Sequence, residues 1–116
     1  MFIFETFPVY QKAENFYQSL LSLIELNKIR PNSAYQLERA ALSILCNISE
    51  GSGKCSRKDK RNFYVIARGS CHECASIVRQ LTKRDPQELY FQNWYQELTI
   101  ISKMLSGIIE KLEQSF

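Results

Sequence analysis

At 116 residues with 45% hydrophobic content, the chain suits one domain with a true core and is short for two. A net charge of +3 and a pI near 8.7 make it mildly basic. No apolar run approaches the roughly 18 residues that cross a bilayer, and the start MFIFETFPVY lacks the basic region and cleavage-like small residues of a secretory signal. The expectation is a single domain over 1–116, cytoplasmic, with no membrane partner and with Cys46, Cys55, Cys71 and Cys74 kept reduced.

Apolar spacing predicts four helices. In the first, Val9, Ala13, Phe16, Leu20 and Leu23 step by four and three, and Arg30-Pro31-Asn32 closes the segment. Ser33 with Gln36 reads as a capping-box start for the second, whose face is Ala34, Leu37, Ala41, Ile44 and Ile48; Gly51 is expected to stop it as a left-handed residue, with Gly53 loosening the connection. Ser56 with Asp59 opens the third, along Phe63, Ala67, Ser70, Cys74, Ile77 and Leu81. Asp85 as cap, Pro86 in the first turn and Glu88 three after the cap predict the start of the fourth, whose seam is Phe91, Trp94, Leu98, Ile101, Leu105, Ile108 and Leu112. Four such helices on short turns predict an all-α, antiparallel up-down-up-down bundle. No segment alternates as a half-buried strand does, and no repeat or linker marks a second domain.

Charge is unevenly placed. Lys54 to Arg84 holds nine Lys/Arg against two Asp/Glu, a net of +7, while the remainder holds six against ten, a net of −4. Projected at about 100° per residue, Arg57, Arg61, Arg68, His72, Arg79 and Lys83 form a stripe of about 40 Å opposite the expected core, with no acid in line. Such a face forgoes the mixed-sign pairs of a solvated helix. It points either to an anionic partner such as a nucleic-acid backbone or to acids on a neighbouring helix or subunit. Lys54, Lys58 and Lys60 crowd the start of the third helix against its dipole, which a bound phosphate there would explain.

The stretch GSGK, Gly51 to Lys54, is not a nucleotide phosphate loop. Ile48 stands where the first glycine belongs, Cys55 replaces the metal-binding hydroxyl, and the preceding segment is helical. On the second helix, Arg39, Ser43, Asn47 and Glu50 make a polar line away from the core. It reads as a polar outer face or as a hydrogen-bonded ladder at a subunit contact, since Ala40 and Cys46 flank it.

Gln36 to Glu73, QLERAALSILCNISEGSGKCSRKDKRNFYVIARGSCHE, resembles the four-helix-bundle family of 23S rRNA intervening-sequence proteins. Arg39, Ala40, Ala41, Ser43, Ile44, Asn47, Ile48, Glu50, Gly51 and Gly53 match the first half of the family's pattern, and Phe63, Ala67, Gly69, Ser70 and Glu73 the second. FPVYQKA resembles its first helix more loosely; Leu45, Cys71 and Cys74 depart from it. The resemblance implies small all-α protomers assembled into five-membered rings, and it extends to the accessory variability protein of diversity-generating retroelements, which works with a reverse transcriptase and RNA. It implies no settled biochemical activity.

The residues give little support to catalysis. A carboxylate-bridged metal pair needs two Glu-x-x-His motifs, and the single histidine, His72, follows Gly69 by three. Cys71-x-x-Cys74 falls on or beside the core line, which favours buried thiols over zinc or redox use. Glu50 and Glu73 would be an acid/base pair only if helices two and three brought them together, and structural hydrogen bonding is the simpler role. No enzyme, metal or cofactor is expected. Two functions remain. One is a nucleic-acid-binding homo-oligomer, RNA above DNA, using Lys54, Arg57, Lys58, Arg61, Arg68, Arg79 and Lys83 on phosphates, with little base reading because few aromatics interleave the stripe. The other is a scaffold or accessory subunit for an acidic partner or a nucleic-acid enzyme. Surplus apolar residues, Tyr10, Tyr17 and Leu21 on the first helix and Leu89 and Ile100 on the fourth, predict self-association through two different patches, as a ring requires.

Overall fold

Pro8, with no N–H to leave unpaired, occupies the first position of α1 (Pro8–Glu25) in a computed structural model that describes residues 1–114. A 3-10 turn, Ile3–Thr6, precedes it; α2 (Pro31–Ser52), α3 (Arg57–Arg84) and α4 (Leu89–Glu113) follow. The protein is an all-α four-helix bundle, and among the described residues there is no strand.

α1 buries Val9, Ala13, Phe16, Leu20 and Leu23, the expected face. Its last helical residue is Glu25, and the chain turns off at Asn27, ahead of Arg30-Pro31. Asn27 has φ 56°, its N–H bonds the carbonyl of Ile24, and Lys28 N–H bonds that of Leu23, both at 3.0 Å. This is a Schellman ending with asparagine in the left-handed position.

Two helix starts differ from expectation. Pro31 is already the first residue of α2 and Arg30 its cap, so Ser33 and Gln36 lie inside the helix. The fixed φ and missing N–H of proline select that position over a downstream serine. Asp85 ends α3 instead of opening α4: its N–H still bonds the carbonyl of Leu81 at 2.9 Å, and Pro86 and Gln87 are spent reversing the chain before Leu89. The Ser56 cap is as read, its Oγ accepting from Asp59 N–H at 3.1 Å. Gly51 does not stop α2. It is a buried helical residue, no glycine has positive φ, and the helix runs on to Ser52. Gly51 is needed for room, since a Cβ there would sit 3.2 Å from both Phe63 Cβ and Tyr64 Cε1.

Helices adjacent in sequence pack together, and α1 closes against α4. Cross-helix bonds run antiparallel: Arg39 to Glu73 and Ser43 to Ser70 join α2 to α3, while Arg61 to Glu113, Arg68 to Ser106 and His72 to Ser102 join α3 to α4. The Trp94 ring lies edge-on to Phe16 at 5.6 Å in the core, and its Nε1–H donates to Ser19 Oγ at 2.9 Å. α3 sits in the bundle differently from expectation. Its buried line is Tyr64, Ala67, Cys71, Cys74, Val78 and Leu81; Phe63, Ser70 and Ile77 are only half-buried. That turns the core-facing direction about 50° toward the basic stripe.

Of the surplus apolar residues, Tyr10 meets the Phe4 ring of the N-terminal turn at 4.8 Å, and Tyr17 and Leu21 are half-buried. Leu89 and Ile100 are exposed, joined by Tyr35, Leu42 and Ile66 on the outer sides of α2 and α3. No described helix is long and apolar enough to cross a membrane.

Candidate nucleic-acid interface

The 50° turn of α3 moves the basic stripe from the far side of the helix to its seam with α4. Arg61 places Nε and Nη2 each 2.8 Å from Glu113 Oε2, so the stripe does meet one acid. Arg68 Nη1 donates to Ser106 Oγ at 3.1 Å, and His72 Nε2 lies 3.0 Å from Ser102 Oγ. Seven residues beyond His72 on α3 and seven before Ser102 on α4, the same register brings Arg79 beside Tyr95.

Two depressions meet at that pair. One, of about 520 Å³, is lined by both residues with His72, Ser76, Thr99 and Lys103 over a floor of Cys71, Ala75 and Leu98. The other, of about 320 Å³, adds Thr82, Lys83, Gln92 and Gln96. Neither lining contains a carboxylate. The expected stripe residues His72, Arg79 and Lys83 thus line these adjoining depressions with Lys103 and Tyr95, while Arg68 lies further along the seam at Ser106, which reading α3 alone does not reveal. The signal lay on α4: Tyr95, Ser102, Ser106 and Glu113 step by seven, four and seven, opposite Arg79, His72, Arg68 and Arg61.

The lysines at the start of α3 divide. Lys60 Nζ donates to the carbonyls of Ser52 at 3.1 Å and Gly51 at 3.4 Å, and so serves the C-terminal, negative end of α2. Lys54 lies 3.9 Å from Glu50 and 5.1 Å over the Phe63 ring. A phosphate is therefore not needed to explain either of these two. Lys58 and Arg57 are exposed at the first turn of α3.

Most of the family-pattern polar residues bridge α2 to α3. Arg39 Nη2 meets Glu73 Oε2 at 3.0 Å, the hydroxyls of Ser43 and Ser70 are 2.8 Å apart, and Asn47 Nδ2 donates to the Ser43 carbonyl and Oγ at 2.8 and 3.1 Å. Ser70, expected in the core, is drawn to this seam by its hydroxyl partner. Glu50 and Glu73 are not neighbours: Glu73 meets Arg39, about three turns before Glu50 on α2, while Glu50 pairs with Lys54.

Cys71 and Cys74 are buried; Cys46 and Cys55 are exposed. Burial pushes the Cys71 thiol up to about 12, with a backbone hydrogen bond from Ser102 offsetting part of the shift, and raises Cys74 further. The Cys71 thiol donates to the Leu98 carbonyl at 3.3 Å, which requires its proton. Among the described residues no three of His, Cys, Asp and Glu converge as metal ligands would.

A protein of unknown function from the S23 ribosomal protein family of Bacteroides thetaiotaomicron shares the fold: its crystal structure superposes with a TM-score of 0.77 at 24% identity, over 87% of this chain and 97% of the other. No curated protein matches the sequence. The sequence profile of one family matches residues 5–107, covering all of α1, α2 and α3 and most of α4. The chain therefore belongs to the 23S rRNA-intervening sequence protein family.

Proposed function

We propose that this protein binds nucleic acid, RNA in the first place, and works as a non-enzymatic homo-oligomer, with phosphates held along the α3–α4 groove. The observation that carries this reading is the acid-free lining that gathers His72, Arg79, Lys83 and Lys103, with Arg68 one step further along the seam. Cations on both rims of a groove neutralise phosphates and release the counterions condensed on the nucleic acid, which favours binding. The family's description, with its reference to 23S rRNA, makes RNA the first ligand to try.

Replacing Arg68, Arg79 and Lys83 together by glutamine should weaken RNA binding regardless of sequence. It should also flatten the slope of log affinity against log salt by up to about two units for a single strand. Fluorescence anisotropy across a salt series reads both, and an unchanged slope in the triple variant would defeat the reading. The exposed Tyr35 and Leu42 favour a second one, an accessory subunit that docks another protein through the outer side of α2. Its binding would be nearly indifferent to salt. Self-assembly rests on those residues with Leu89 and Ile100, and its five-fold number on the family resemblance. Multi-angle light scattering over a dilution series tests it, with a monomer at micromolar concentration as the opposing result.

A further inference from the structure

We propose that the α3–α4 groove stacks an unpaired base on the ring of Tyr95, with the flanking phosphates on Arg79 and on Lys83 or Lys103, so that the protein prefers single-stranded to duplex RNA. This deepens the nucleic-acid reading and rests on it.

Tyr95 is 41% exposed on the side of α4 that faces the groove. Among the described residues its ring meets no other aromatic ring and its hydroxyl has no hydrogen-bond partner. The other members of its line on α4, Ser102, Ser106 and Glu113, each meet a residue of α3, whereas Tyr95 stands beside Arg79 with open space on both sides.

The surroundings have the mixed chemistry of a nucleotide. Ala75, Cys71 and Leu98 give an apolar floor, the hydroxyls of Ser76, Thr99 and Ser102 offer donors and acceptors to base edges, and cations stand on both helices. A base stacks on an aromatic face whatever its identity, while neighbouring cations follow the backbone. A duplex hides its base faces and offers the groove only phosphates. A second copy related by a two-fold axis is a poor occupant, because the same acid-free, cationic surface would face itself.

The test uses the full chain, a labelled unstructured single-stranded RNA of about a dozen nucleotides and a duplex of equal length, with anisotropy measured at several salt concentrations. Wild type should bind the single strand more tightly than the duplex. Tyr95→Ala should lose about five- to a hundred-fold in single-strand affinity with its salt slope unchanged, and Tyr95→Phe should retain binding. Arg79→Gln with Lys83→Gln should weaken single strand and duplex alike and flatten both slopes. If Tyr95→Ala binds as wild type does while the Arg79/Lys83 variant loses affinity, stacking is wrong and the phosphate groove stands. Preference for the duplex also rejects stacking, and so does a Tyr95→Ala variant whose light-scattering mass changes, since the ring would then be a subunit contact. Absence of wild-type binding at low salt overturns both proposals.

Discussion

Lys60 reaches back over the turn between α2 and α3 to place its ammonium 3.1 Å from the carbonyl oxygen of Ser52. This contact turns a charge that opposes the dipole of α3 into one that closes α2, whose last carbonyls have no partner within their own helix. Lys60→Met keeps most of the stem and removes the donor. It should destabilise the protein by about 1 kcal/mol, a fall of about 4 °C in Tm, and thermal unfolding by circular dichroism measures it. A Tm equal to wild type would show that water satisfies those carbonyls equally well.

Two helical glycines should respond with opposite signs. At Gly69 a Cβ would meet nothing within 4 Å, so Gly69→Ala should stabilise the protomer by up to about 1 kcal/mol through helix propensity. At Gly51 the same gain meets Phe63 Cβ and the buried Tyr64 ring at 3.2 Å. Neither neighbour is the free end of a flexible chain, and overpacking outweighs propensity, leaving Gly51→Ala destabilised by about 1 kcal/mol. Denaturant midpoints of the two variants decide the point.

Ser19→Ala should cost about 1–3 kcal/mol, because the indole N–H of Trp94 then loses its hydrogen-bond partner while the ring stays 2% exposed. Chemical denaturation followed by tryptophan fluorescence gives the value. A variant as stable as wild type would mean that the indole finds another acceptor.

The thiols predict a reactivity pattern and an alkaline limit. Ellman's reagent should modify Cys46 and Cys55 in the native protein, and Cys71 and Cys74 only after unfolding. Below pH 9.0, the ordinary thiol value, folded and unfolded chains both keep the Cys71 proton and stability is undiminished. Between there and about 12 the unfolded chain ionises first and binds fewer protons, so stability falls as pH rises, by at most about 1.4 kcal/mol per pH unit for each such thiol. Burial raises the Tyr64, Tyr10 and Tyr17 phenols as well, which adds loss in the same direction. Cys71→Ala isolates the thiol: its stability should decline less steeply over that range than wild type's.

The number of helices, the buried faces of α1 and α2, most of the α4 seam and the Ser56 cap were legible in the sequence, because each depends on side chains spaced along one helix or on a single local hydrogen bond. The α2–α3 polar residues were legible as a group through the family pattern, though not their pairing. What the tertiary structure decided was rotation and register. Phe63, Ser70 and Ile77 repeat at helical spacing as regularly as Tyr64, Cys71 and Val78, so periodicity alone could not say which line faces inward. Packing chose the second, leaving Ser70 to the hydroxyl of Ser43 and bringing Cys71 under Leu98. That one rotation carried the basic stripe to the α3–α4 seam. Antiparallel register then gave Arg61 its acid, Glu113, and left Arg79 beside Tyr95, relations between residues on different helices that no spacing along one chain segment contains.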